Sequence, residues 1–171
     1  MIFRIIGGVL VCLSCGLIGL YMGSKAGARV QKLLEFKRTL LMLKSEIEFA
    51  IYTLPQAFNN ISGRTVPPFS TFYAQIGHEV ANKEMSLDTA WTAGLKNLST
   101  TQLIREDFEM MDGLGKALGN MDVQIQLRAI DMTVNIIENT VVGLNAENAK
   151  KAGMYRGLGI LGGLLITVIL L

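Results

Sequence analysis

The chain is poor in the residues that carry catalysis and metal binding. It has one histidine and two cysteines in 171 residues. His78 falls in mid-helix beside Glu79, where a lone imidazole reads as a surface or core side chain, not a ligand. Cys12 and Cys15 have the spacing of half a metal or redox pair, but they lie in an apolar run that offers no further ligand. Cys15 is also a poor lipoprotein cysteine, because Cys12 stands where an aliphatic residue is wanted. Gly113-Leu-Gly-Lys116-Ala117 has the look of a phosphate loop but lacks its first glycine, Met110 standing there. Ala117 cannot ligate magnesium as Ser or Thr would. No basic stripe with interleaved aromatics is present, so nucleic acid is not an expected partner. The sequence implies no enzyme, no cofactor and no metal. There are only three prolines, and no strand-like alternation competes with helical spacing.

Hydrophobic residues make up 50% of the chain, unevenly spread. Ile5 to Ser24 is an uncharged run of 20 residues, and Gly157 to Leu171 one of 15. A helix rises about 1.5 Å per residue, and about 20 apolar residues cross a bilayer core. The first run meets this length. The second meets it if it begins at Ala152 and Arg156 snorkels to the interface, with the terminal carboxylate at the far side. The expected organisation is a short extracytoplasmic N-terminus (1–4), a transmembrane helix (5–24), a central domain (25–151) and a second transmembrane helix (152–171). A cleaved signal peptide is the alternative for the first run, with Arg4 as n-region and Ala26-Gly27-Ala28 as cleavage site. The length of the run and Lys25 speak for a retained span. Apart from Arg156, near the start of the second, neither span carries a charge between its ends, which argues against an ion or proton pathway.

The formal net charge of +2 conceals segregation. Lys25, Arg29, Lys32, Lys37 and Arg38 against Glu35 form one basic collar, and Lys150, Lys151 and Arg156 another. Between them, Thr39 to Ala149 hold seven basic and thirteen acidic side chains, a net −6. Basic residues gather on the cytoplasmic side of spans, so the central domain is expected in the cytoplasm, its collars against anionic lipid headgroups. Gly19, Gly23 and Gly27, and likewise Gly159 and Gly163, recur every four residues. Such stripes let membrane helices pack closely, within a chain or between copies.

The central domain reads as all-helical. Leu33, Phe36, Leu40, Leu43, Ile47, Ala50 and Leu54 step by three and four, with Leu34, Leu41 and Ile51 expected to widen the stripe. Thr53 and Pro55 start a second helix running to about Ile61. Gly63 and Pro67-Pro68 punctuate a loop. A third helix from Pro68 to about Asn82 carries Phe69, Phe72, Tyr73, Ile76 and Val80. Ser86 caps the fourth, and the fifth runs from about Thr101 to Leu118 with Gly119-Asn120 as its stop. Glu106, Asp107, Glu109 and Asp112 make an acidic cluster on it. That cluster is either a solvated face or a dock for a basic partner. Val123, Leu127, Ile130, Val134, Ile137, Val141 and Leu144 form the cleanest seam, and no stop separates it from the second span. An echo spans 33 residues: Thr53-Leu54-x-x-Ala57-Phe58 against Ser86-Leu87-x-x-Ala90-Trp91. Each sets a capping hydroxyl, a Leu, a small Ala and an aromatic at a helix start, a device for close docking.

Four segments carry a family resemblance: Leu54-Pro55-Gln56-Ala57-Phe58; Ser86-Leu87-Asp88-Thr89-Ala90-Trp91; Leu118-Gly119-x-x-Asp122-x-x-x-Gln126; and Tyr155-Arg156-Gly157-Leu158-Gly159-x-Leu161-Gly162-Gly163-Leu164-Leu165. Together with the order span, helical body, span, they resemble the stage III sporulation protein AB family of endospore-forming bacteria, over essentially the whole chain. Asn145, Asn148 and Ala149 stand where that family is more strongly charged. The resemblance implies an all-α fold, a six-helix cytoplasmic bundle flanked by N- and C-terminal transmembrane helices. It also implies similarity to the cytoplasmic domain of platform proteins in type II secretion and type IV pilus machines. By the same resemblance, the protein is a membrane platform in the mother-cell and outer forespore membrane, part of a channel complex with other membrane components. Its expected cytoplasmic partner is a secretion-type ATPase like stage III sporulation protein AA. Similar platforms outside sporulation, and a signal-bearing extracytoplasmic helical protein, are the alternatives.

Overall fold

The computed structural model describes residues 27–49, 52–98, 102–120 and 122–170; within 151–170 it gives the helical backbone and, of the side chains, only Met154. Among these residues there are six helices and no strand. They are α1 (27–49), α2 (Leu54–Ser62), α3 (Phe69–Ala81), α4 (Leu87–Asn97), α5 (Arg105–Leu118) and α6 (Val123–Leu170). The chain divides into two compact units. Gln31–Val141 holds the bundle, and Met1–Val30 with Val142–Leu171 forms the other. The predicted span 5–24 lies outside the described residues. Among the described residues, no helix is long and apolar enough to cross a membrane.

The periodicity of α1 and α6 becomes their packing. Leu33, Phe36, Leu40 and Leu43 on α1 are buried, as are Ile130, Val134, Ile137 and Val141 on α6. Lys37 pairs with Glu138 at 2.6 Å and Lys44 with Asp131 at 2.7 Å. These bridges are one heptad apart on both helices and in reversed order, so the helices run antiparallel. Such flanking positions meet along one side of a heptad seam.

Leu34 and Leu41 do not widen the core; they are 44% and 47% exposed. At about 100° per residue they point well away from the Leu33–Leu43 line. The buried stripe widens in the other direction, through Thr39. Its hydroxyl donates to the Phe36 carbonyl and hydrogen-bonds Tyr73 across to α3 at 2.9 Å. Val123 is likewise exposed, at the first turn of α6.

Helices α2 to α5 follow as two short hairpins around an aromatic cluster. Phe58 stacks on Tyr73, Phe72 meets Trp91 edge-on with centroids 5.0 Å apart, and Phe36 stacks on Phe69. Glycines allow the helices this close. A Cβ on Gly77 would meet the Asn59 side chain at 2.5 Å, one on Gly94 the Phe72 ring at 2.9 Å, and one on Gly115 the Trp91 ring at 2.3 Å. Trp91 Nε1 donates to the Met111 carbonyl at 2.9 Å, satisfying the one polar atom of the largest core side chain.

Candidate functional site

The helix-start echo recurs in three dimensions. Ala57 and Phe58, and Ala90 and Trp91, are buried, each pair in the first turns of its hairpin. Leu54 and Leu87 are half-buried, short of the full burial their spacing suggests, because they sit at the helix mouth. The caps differ in detail. Ser86 Oγ accepts from Thr89 N–H at 3.3 Å. At the other start it is Gln56 that reaches back, its Oε1 accepting from the Thr53 N–H and hydroxyl at 3.1 Å. Pro55 occupies the first turn, where its missing N–H costs nothing.

The Leu118–Gln126 motif is the corner between α5 and α6. Gly119 ends α5, and Asp122 Oδ1 accepts from Gln124 N–H at 2.7 Å to start α6. Buried Gln126 turns its amide back and donates to the carbonyls of Leu118 and Asn120, at 3.0 and 2.5 Å. The carbonyl of Leu118 at the end of α5 has no intrahelical donor, so one buried glutamine closes it together with the loop carbonyl of Asn120. Gly119, Asp122 and Gln126 therefore lock a turn; they build no pocket.

The structure separates the acidic cluster of α5. Asp107 is buried, and its Oδ2 accepts from the Ile104 N–H at 3.0 Å. This cap, with Ile104 in extended backbone, is why α5 begins at Arg105 and not near Thr101. Glu109 accepts from Arg105 at 2.7 Å, one turn away. Asp112 pairs with Lys116 at 2.7 Å and accepts from Thr92 on α4 at 3.2 Å. Hydrogen bonding to Lys116, against a smaller desolvation cost, holds the Asp112 carboxyl below the usual aspartate range. Glu106 is exposed; the hydrogen bond to Glu109 raises Arg105 most, and Glu106 adds a smaller share. The surface share of the cluster is thus Glu106 and Glu109, with Asp112 half-buried between helices.

His78 is exposed and bonded to Asn82. The buried Tyr73 hydroxyl is pushed up by desolvation and tied to Thr39, so it stays neutral. Among the described residues, no group of three His, Cys, Asp or Glu side chains could hold a metal ion. A shallow groove between α1 and the loop before α3 is lined by Glu35, Arg38, Arg64 and Val66 with Thr39, Thr65 and Phe69. Arg64 in it reaches Glu46 at 3.2 Å. Cys12, Cys15, Gly19 and Gly23 lie outside the described residues. A Cβ on Gly27 would meet nothing within 4 Å. Gly159 and Gly163 lie in the part of α6 described as backbone only.

Comparison with known proteins agrees with this arrangement. A family model for stage III sporulation protein AB matches residues 4–171. Stage III sporulation protein AB of Bacillus subtilis (strain 168) is 24% identical over 169 residues, covering 98% of this chain and 99% of that protein. A solved structure of a stage III sporulation protein AB superposes with a TM-score of 0.65 at 22% identity, over 71% of this chain and 97% of that one. That likeness speaks to the fold.

Proposed function

The chain belongs to the stage III sporulation protein AB family, and from that premise we propose that it is a non-enzymatic platform in the membrane between mother cell and forespore. In this reading residues 5–24 and 152–171 cross the membrane, with the acidic bundle on the cytoplasmic side. The collars of Lys25–Arg38 and Lys150–Arg156 rest on its headgroups. The support is the charge partition and the two uncharged runs of the sequence. The bundle receives a cytoplasmic secretion-type ATPase, like stage III sporulation protein AA, and works beside the other membrane components of the channel. Glu106 and Glu109 are its candidate contacts for basic residues of that partner.

The observation that carries the mechanism is α6. It runs as one helix from Val123 to Leu170. Its early turns are core of the bundle, through Ile130, Val134 and Ile137, and its end is the second apolar run. In this reading a displacement of the bundle by a partner is passed along α6 towards the membrane. Two glycines inserted after Glu147 would introduce a soft joint in that path. The expected outcome is a protein that still accumulates in membranes but no longer supports sporulation. Sporulation at the normal frequency overturns the coupling.

A further inference from the structure

Leu34, Arg38 and Leu41 share the outer face of α1, the two leucines within about 60° of Arg38 at about 100° per residue. Both leucines are exposed. On its other side Arg38 borders the groove before α3, with Arg64 and Val66 across from it. Val66 is 63% exposed, and Phe69 is buried at the base. The groove holds about 90 Å³. A water takes up ~30 Å³ of liquid, and small-molecule sites start near ~300 Å³, so this space suits a single side chain. Its polar groups are nearly all engaged. Thr39 and Thr65 turn their hydroxyls back to donate to the carbonyls of Phe36 and Ile61, at 2.7 and 2.9 Å. Glu35 accepts from Lys32 at 2.7 Å, and Arg64 gives one N–H to Glu46 at 3.2 Å. Arg38 has no hydrogen bond or ion pair among the described residues. The charges of the groove and their partners therefore cancel, except that of Arg38.

We propose that this groove docks an acidic segment of a partner protein, which sets a carboxylate on Arg38 and an apolar side chain beside it on Val66. The choice of occupant rests on charge complementarity. One unmatched guanidinium suits one carboxylate, which it can hold through two parallel N–H bonds. Arg64 has N–H groups left after Glu46 and can add a third bond. A basic segment would meet like charge. A phosphate, with up to two negative charges, would lie against Glu35. It would also miss the backbone N–H groups that phosphate sites use, because Pro67 and Pro68 beside the groove have none. The exposed leucines extend the apolar contact around Arg38, and an arginine set among apolar side chains is a common anchor of protein interfaces. This partner surface is opposite in sign to the one proposed for Glu106 and Glu109, so it is a second contact of the bundle. All of these residues belong to the unit Gln31–Val141, and the docking does not depend on the membrane reading.

The test is disulfide capture of a peptide by the full-length protein in mild detergent, with Cys12→Ala and Cys15→Ala to remove the natural thiols. Ser45→Cys puts a thiol on the same exposed face of α1, about 10 Å of helix from Arg38. Glu84→Cys, exposed in the loop before α4, is the control. The probe is an acetylated and amidated peptide of cysteine, two glycines, leucine and glutamate, with glutamine or phosphoserine forms for comparison. Capture in a glutathione buffer is read by mass spectrometry. The glutamate form is expected to exceed the glutamine form at least three-fold at Ser45→Cys, and to equal it at Glu84→Cys. Arg38→Gln is expected to bring the ratio at Ser45→Cys to one. A smaller ratio at Ser45→Cys, the same preference at Glu84→Cys, or a preference that survives Arg38→Gln overturns the site. Exchanging the leucine of the probe for glycine is expected to lower capture at least three-fold, and a smaller loss overturns the apolar contact. A three-fold preference for phosphoserine over glutamate overturns the carboxylate. A fluorophore on Ser45→Cys that is quenched by nitroxide-headgroup lipids in bilayers sets this face on the membrane and overturns the protein partner.

Discussion

At the scale of single residues, the tightest constraints sit where helices cross. Gly115 faces the Trp91 ring so closely that a Cβ would lie 2.3 Å from Cδ1. Gly115→Ala must push the indole off its bond to Met111, and overpacking of this kind costs roughly 1–3 kcal/mol. A fall in melting temperature of the full-length protein in detergent checks it. A second expectation concerns Asp112. Its pKa is lowered in the folded protein, by Lys116 first, so its contribution is present above the ordinary aspartate value and fades as pH falls through the lowered one. The pair lies near the surface, so Asp112→Asn is expected to cost about 0–1 kcal/mol at pH 7. The difference from wild type should shrink towards zero as pH falls below the lowered range of this carboxyl. A difference independent of pH would mean that the bond from Thr92, not the charge, holds the residue in place.

At the scale of elements, α1 and α6 show what a seven-residue pattern does and does not specify. It identifies the buried lines on both helices. It does not identify the direction in which the core widens, which is why Leu34 and Leu41 face water while Thr39 is buried. Tyr73 decides that, arriving from α3 with a hydroxyl that needs a partner. The seam itself is testable at Ile130, which is fully buried between the antiparallel helices. Ile130→Asp places an unpaired carboxylate there and should cost several kcal/mol, enough to unfold the bundle or nearly so. An unchanged thermal transition would remove α6 from the core. The α5–α6 corner teaches the same lesson at shorter range. Gly119, Asp122 and Gln126 stand out in the sequence as a motif. Only the fold shows that Gln126 faces backward onto the last carbonyl of α5 and that of Asn120 in the loop.

At the scale of the whole molecule, the proposal is an acidic bundle held to a membrane at both ends of its chain. A thiol placed at Glu84 in intact cells, in the same background without Cys12 and Cys15, tests its topology. A membrane-impermeant maleimide is expected to leave it unlabelled until the cells are permeabilised. Labelling from outside would favour the extracytoplasmic alternative with a cleaved signal. The family to which the chain belongs was legible in motifs at helix starts, at the α5–α6 corner and at the end of the chain. The motifs at the helix starts and at the α5–α6 corner turn out to be caps, a corner and close contacts. They identify the protein because they build the bundle, and for the same reason they reveal little of what it touches.

The sequence by itself determined the helical class, the order of the helices, their core lines and the charge partition. All of these depend on spacing and composition along one chain, and neighbouring residues carry that information. Tertiary structure alone decided which polar groups are surface and which are scaffold. Asp107 left the acidic cluster to cap a helix, and Asp112 joined α4. It also decided the direction in which the α1 stripe widens, burying Thr39 against Tyr73 while Leu34 and Leu41 face water. Burial is a property of what arrives from elsewhere in the chain, and the spacing along one helix does not say from which side a neighbour comes.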